Sequence, residues 1–567
     1  VVGATFLSSL SNFAKPEYLR VGAELVLERV KSRLQAGPLW WFRFVGNTAE
    51  RLLFTPSCIR PSDPLVARDI YQGRFTFSGR TVETGTASVF EVEAPSPAWE
   101  NGLHSFRWLR HLNAADTELA SENARALINN WLNGPGKRIV GVSWEADICA
   151  ARLTAWLQHA PFILRNSEHS FYRRFLASIS KQMRYLRAFA RGCQDDLKLL
   201  KVRIALAMTS LTLTTHDKTR VRAARNLEYQ LKRQIYTDGG HVSRNPDVIA
   251  DILCELLPLS QLYIAASKPV PSELLRAIDR LFPMLRFFRH SDGSVAQFHG
   301  SGIGDADISA AVLRHDVTNG QPNAIANQSA YQKLMENDAV VIADIGRPVA
   351  GYNGVKTHAS TLAFEFSSGR NRLIVNAGVD RLCRDIYNAP ARATAAHSAL
   401  VLDDKSSAQF AVFSSGRRRH TRLLRGPTIV ETQPWETDNG EGFSARHNGY
   451  LHATGLWHER GILLAHSGKR LDGYDRLTPD SAVHKTSHKA DIRFHLHPSI
   501  QVAEAGDYLQ IKTDRGEIWQ FSAVNQKPKI EQSIFLAGIS GPVYNWQIVV
   551  SFEYPEFDSV TWRLERL

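Results

Sequence analysis

Cysteine and methionine are both scarce in this sequence, with five and four residues respectively among 567. The cysteines, Cys58, Cys149, Cys193, Cys254 and Cys383, are odd in number and widely spaced. That spacing excludes a Cys-rich zinc module and predicts reduced thiols packed as small hydrophobes. Long apolar runs are missing as well. No window approaches the roughly eighteen uninterrupted apolar residues of a membrane span, so none is expected. The start, Val1 to Leu10, has neither a basic n-region nor a long apolar h-region, so it does not read as a signal peptide. No RNP, helix-turn-helix or zinc-finger pattern accompanies the basic residues, and nucleic acid is not expected as a partner.

What is present is an ordinary globular composition, 44% apolar and 22% charged, which indicates neither disorder nor a repeat array. The length exceeds what a single core holds, so two or three domains are expected. Sixty-eight Lys and Arg against 56 Asp and Glu give a formal charge of +12, which favours an anionic partner at long range. The densest basic run, Arg417, Arg418, Arg419, His420, Arg422 and Arg425, reads as a solvated hairpin rim.

From about Leu103 to Arg289 the apolar residues recur at helical spacing. Phe171, Phe175, Leu176, Ile179, Met183, Leu186 and Phe189 form one stripe, with Arg173, Arg174, Lys181, Arg184 and Arg187 between them. Similar segments cover Trp144 to His159, Leu197 to Leu213, Arg220 to Ile235, Val248 to Ala266 and Ser272 to His290. Short links containing Gly, Pro or Asp predict antiparallel helical hairpins that curl into a toroid or solenoid. From about Tyr331 the period becomes two: Leu362, Phe364 and Phe366 alternate with Ala363 and Glu365, and Ser367-Ser368-Gly369 turns the chain into Arg372 to Val375. Ala339 to Ala343, Ala399 to Leu402, Ile462 to Leu464 and Trp546 to Val550 continue the strand signature. Helices followed by strands predict separate layers or domains, with a boundary near Asn327. The first hundred residues are mixed, with Trp40-Trp41-Phe42 and a strand-like Arg74 to Val82, and are expected to pack on the helical part.

Three stretches place polar or glycine residues where regular structure does not need them. Asp238 to Pro246 joins two helices: Gly239 and Gly240 can take positive φ, Ser243 or Asn245 can cap the next helix, and His241, Arg244 and Asn245 share the loop. Gln297 to Asp307, with His299, is too glycine-rich for a helix. It lacks both the Lys-Ser/Thr ending and the preceding strand of a phosphate loop, so nucleotide binding is rejected. In the third stretch, Lys356-Thr357-His358-Ala359-Ser360 heads a strand, Asn376 ends the returning strand, and His397 follows. Two His and an amide that can converge keep a metal or anion site open.

In this order the three stretches resemble the heparinase II/III family of polysaccharide lyases, which includes several alginate lyases. The likeness runs from Trp99-Glu100-Asn101 and Phe106 to Leu109, through Trp144-Glu145, Arg152 and Trp156, to about Arg476. Its most specific part is His358 to Phe366, Asn376-Ala377-Gly378, and Arg392, Thr394 and His397. The resemblance implies an N-terminal α/α toroid followed by an antiparallel β-sandwich. The expected division is 1–100 as the mixed N-terminal segment, 101–327 as the toroid and 328–567 as the sandwich. It further implies cleavage of a uronic-acid-containing polysaccharide by β-elimination, a periplasmic location, and in some members a zinc held by two His and an Asp.

Carried onto this chain, the zinc set is His358, Asn376 and His397, with Asn376 replacing the usual Asp. Lys356 stands where the motif has its first His, and Ser360 where it has Asp. His241, Lys356 and Tyr236 become the catalytic candidates, and Arg244, Asn245, His299, Tyr352 and Arg392 the substrate-binding ones. Arg244 or Asn245 would neutralise the uronate. The family's Tyr has no evident counterpart, and Tyr236, His241 or Tyr352 can substitute. Two other readings stay open: a glycan-binding protein without turnover, and a hydrolase using carboxylates such as Asp195, Asp196, Asp305 or Asp307.

Overall fold

The computed structural model describes residues 18–24, 26–27, 30, 44, 46–194, 196–302, 306–317, 320, 322–415, 418–481 and 486–567. Trp40 to Phe42, Asp195, Asp305 and Arg417 lie outside the described residues, as do the side chains of Arg418, Arg419 and His420.

The N-terminal part is helical. Four of its described helices start on side-chain caps: Asp63 accepts from the Leu65 N–H, Ser96 from that of Trp99, Thr117 from that of Ala120 and Asp196 from that of Leu199. Each cap satisfies one of the amides that a helix start leaves without an intrahelical partner. The helix His169–Phe189 buries its stripe as the spacing predicts: Phe171, Phe175, Leu176, Ile179, Met183 and Leu186 are in the core. Arg152 is fully buried and belongs to the scaffold, donating to Gln182 and to the carbonyls of His104 and Ser143. Its guanidinium lies 4.1 Å from the Trp131 ring centroid. The strand-like segment after residue 73 is a hairpin, Arg74–Phe77 paired with Arg80–Glu83.

The helix Asp247–Ala265 is long and apolar enough to cross a membrane by length and composition, which reading for uninterrupted apolar runs did not register. It is a core helix: Ile249, Leu253, Leu256 and Leu259 are buried, and Asp251 and Glu255 pair with Arg60 and Arg107.

Helices give way to strands between Leu313 and Ile325. Among the described residues the β-part holds an eight-stranded sheet, a nine-stranded sheet and a two-stranded ribbon of Gln409–Ser415 with Arg418–Arg425, with antiparallel pairing throughout. One core joins the two sheets: Trp562 of one stacks on Phe364 of the other at 5.7 Å and meets Phe494 edge-on at 4.9 Å. The strand Ala339–Asp344 is buried at every position. Successive side chains of a strand point to opposite faces. Val340 and Ile342 therefore join the core of the helical domain, whereas Ala339, Val341 and Ala343 join the core between the sheets. An apolar run without polar alternation marks such a strand, covered on both faces.

The cysteines correct one expectation. Cys149 and Cys254 are buried and Cys58 and Cys193 partly so, but Cys383 is exposed, because it sits in the surface loop after Asn376 rather than on a helix.

Candidate functional site

The strand Ala339–Asp344 pairs with Phe364–Ser368. Asp344 thus lies where the Lys356–Ala363 segment enters the sheet, with Asp344 N–H donating to Ala363 O and Leu362 N–H to Asp344 O. Its carboxylate is fully buried and collects the groups that the three stretches supply. Arg244 Nη2 forms an ion pair with Oδ1, His299 Nε2 lies 3.0 Å from Oδ2, and Ser360 Oγ donates to Oδ2 at 2.7 Å. Burial alone would raise the Asp344 carboxyl, but the charge of Arg244 and the hydrogen bonds from His299 and Ser360 reverse that and hold it well below the ordinary range.

Arg244 is also used fully. Its Nε donates to Ser329 O, and its terminal nitrogens to the carbonyls of Arg347 and Ala330. The guanidinium lies 4.7 Å from the Tyr331 ring centroid. His299 Nδ1 accepts from the His358 N–H at 3.2 Å, which leaves Nε2 protonated and donating to Asp344. Arg244 and His299 both have left-handed backbone, at φ 56° and 47°, a conformation that non-glycine residues hold only where their surroundings fix it.

His358 Nδ1 and His397 Nε2 are 3.2 Å apart. Asn376 is committed elsewhere, its Oδ1 accepting from Ser398 N–H and its Nδ2 donating to Glu365. His397 Nδ1 is buried without a hydrogen-bond partner, yet among the described residues no three His, Cys, Asp or Glu side chains form a group that could hold a metal. Of the zinc set that the resemblance implied, His358 and His397 come together while the Asn376 side chain is held by Ser398 and Glu365. Glu365 gathers His290, Arg372 and the Asn376 amide in the same manner as Asp344.

His241 stands apart from this cluster. Its Nδ1 accepts from the Ser243 N–H and its Nε2 faces Gln234 Oε1 at 3.1 Å. Burial, then the charge of Lys201, lower it to about 3. Arg392 is buried too, donating to Thr357 O and to Asn388.

Solvent reaches the junction beside these groups. A hollow of about 260 Å³ is lined by Lys201, Asn245, Asp247, Asp251, Ser309 and Lys356. A larger one of about 770 Å³, sharing Lys201, is lined by Arg74, Phe75, Asn101, Arg107, Trp108 and Arg110. Of the residues singled out in the sequence, Lys356 and Asn245 line the smaller hollow, while Tyr236 and Tyr352 are partly exposed. Asp247, not singled out, stands there as well. Its Oδ2 accepts from Gly302 N–H, its Oδ1 is buried without a partner, and burial pushes it up to about 6. Asp344 was missed because it reads as the polar end of an apolar strand; the signal was a carboxylate closing a run buried on both faces. Asp196, one of the hydrolase candidates, caps a helix instead.

Comparison with known proteins agrees with this architecture. Residues 318–563 match the family model described as heparinase II/III-like, C-terminal. The solved structure of heparinase III superposes with a TM-score of 0.72 at 12% identity, covering 98% of this chain and 92% of that one. A mutant of heparan sulfate lyase HepC from Pedobacter heparinus gives 0.60 at 14%, with the same coverages. At such identities the likeness is one of fold, an α/α toroid joined to a β-sandwich. FtsZ-localized protein C of Caulobacter vibrioides (strain NA1000 / CB15N) is 29% identical over 474 residues, 81% of this chain and 80% of that protein. Residues 318–563 thus carry a heparinase II/III-like C-terminal domain.

Proposed function

We propose that this protein uses the polysaccharide-lyase scaffold to bind an acidic polysaccharide without cleaving it. One observation carries the reading. Arg244, the residue that would neutralise a uronate, is buried and bound to Asp344 and to three backbone carbonyls. β-Elimination needs a free cation or amide at the carboxylate so that the C5 proton becomes acidic, together with a base and an acid that reach the sugar. His241, His299, His358 and His397 are each at most 3% exposed, so no substrate meets them in this conformation. The hollows that share Lys201 offer cationic and aromatic side chains suited to an anionic sugar chain. The relative named for FtsZ supports a role in localisation rather than turnover, and we extend association with FtsZ to this chain.

A second reading, β-elimination, is favoured by the pair at the smaller hollow. Asp247, pushed up to about 6 by burial, lines it with Lys356 and Asn245. There Lys356 would neutralise the uronate while Asp247 takes the C5 proton, with Tyr236 or Tyr352 protonating the leaving oxygen. Incubation with a panel of acidic polysaccharides separates the two readings. Binding without new ultraviolet absorbance or reducing ends is the expected result. Absorbance from a conjugated double bond appearing with reducing ends would establish a lyase, and reducing ends alone a hydrolase.

A further inference from the structure

On the helical domain, the helices His169–Phe189, Leu197–Thr212 and Asp217–Gln234 line a pocket of about 300 Å³ separate from both hollows above. Five of its lining residues are arginines, Arg187, Arg191, Arg203, Arg222 and Arg225, and none of the described lining residues is acidic. Several other cations of this domain are matched with carboxylates: Arg60, Arg107 and Lys201 with Asp251, Arg280 with Glu273, and Arg220 with Asp217. Arg187, Arg191, Arg222 and Arg225 show no side-chain hydrogen bond or ion pair among the described residues. Burial, then the charges of Arg184, Arg191 and Arg222, lower the Arg187 guanidinium from its ordinary value. Arg187, Arg191, Arg222 and Arg225 are thus like charges gathered with no described counter-charge; they repel one another, and a bound anion would relieve that repulsion.

We propose that this pocket is a binding site for a compact, multiply charged phosphate anion of the pyrophosphate class. A volume of about 300 Å³ lined from three helices suits a compact anion better than a polysaccharide chain, which needs a longer groove. The guanidinium fork pairs bidentately with phosphoryl oxygens, which a point charge does not. Thr219 and Asn226 add neutral donors at the rim, and Leu206 and Ala223 add apolar wall. The site is independent of the glycan-binding reading because it shares no residue with the junction hollows.

The test is calorimetric titration of the full chain with inorganic pyrophosphate at physiological ionic strength, where non-specific surface attraction is largely screened. We expect one saturable site and a rise in Tm with ligand. The double variant R222A/R225A removes two exposed side chains from one helix, and its fold is checked by thermal melting. It should bind at least ~10-fold more weakly, since a charge-assisted hydrogen bond contributes that much or more. R220A, on the same helix but paired with Asp217, should bind as the parent does. Absence of saturable binding at millimolar pyrophosphate would overturn the proposal. So would equal affinity in R222A/R225A, or binding of a heparin-derived hexasaccharide through these arginines without any pyrophosphate binding.

Discussion

Arg244 and Asp344 form an ion pair that ties the loop between two helices to the end of a β-strand, with 6% and 0% of their side chains exposed. The two residues that a lyase reading and a structural reading interpret most differently are thus bound to one another. Removing one partner leaves a buried charge uncompensated. Arg244→Ala and Asp344→Ala should each destabilise the fold by about 3–5 kcal/mol. Replacing both together with apolar residues should cost less than the sum of the single losses, because neither charge is then left alone. Chemical denaturation of the single and double variants measures this, and additive losses would contradict the pairing.

Lys356 is exposed and lines the smaller junction hollow. Lys356→Ala should weaken retention on an acidic polysaccharide several-fold, by roughly the 1 kcal/mol of a partly screened charge contact, without lowering Tm. Affinity electrophoresis against the parent protein checks both parts.

His241 and His104 are held low, each at about 3, by burial first and then by the charges of Lys201 and Arg152 respectively. Their folded values lie below the unfolded value near 6.5. Between about pH 3 and 6.5 the unfolded chain therefore binds the extra protons, and stability rises with pH. The contribution is complete above about pH 6.5 and is lost as pH falls, at up to about 1.4 kcal/mol per unit for each histidine. Tm measured from pH 7 to pH 5 should fall, and His241→Gln should flatten the slope. An unchanged slope would remove His241 from the account.

Gly239 has φ 89°, and a Cβ there would come within 2.0 Å of the Arg280 carbonyl oxygen. Gly239→Ala should destabilise by more than the ~1 kcal/mol that the same change gains at a position suited to alanine, because helix backbone rather than a flexible side chain must move. Loss of stability in a denaturant titration is the readout.

Cys383 is exposed, whereas Cys149 and Cys254 are buried, with burial pushing their thiols up to about 11 and about 12. Thiol titration of the native protein should label Cys383 first. Cys149 and Cys254 should react only on unfolding, since the thiolate is the reactive form.

The sequence by itself determined the order of the architecture. The steps of three and four from Phe171 to Phe189 dictate a helix with one buried face, and the alternation around Phe364 dictates a strand. Both follow from local periodicity, which needs no knowledge of the partner surface. The sequence also isolated Arg244, His299, His358 and His397, because polar residues in glycine-bearing loops stand out against that pattern. Only the tertiary structure decided what those residues do. Asp344 reaches Arg244 across 100 positions and His299 across the interface of two domains, and no spacing rule encodes a contact set by how a sheet packs on helices. Burial decided the rest. A histidine in a loop reads identically whether it faces a cleft or a core, and the junction encloses all four, leaving Lys356, Asn245 and Asp247 at the solvent-reached hollow.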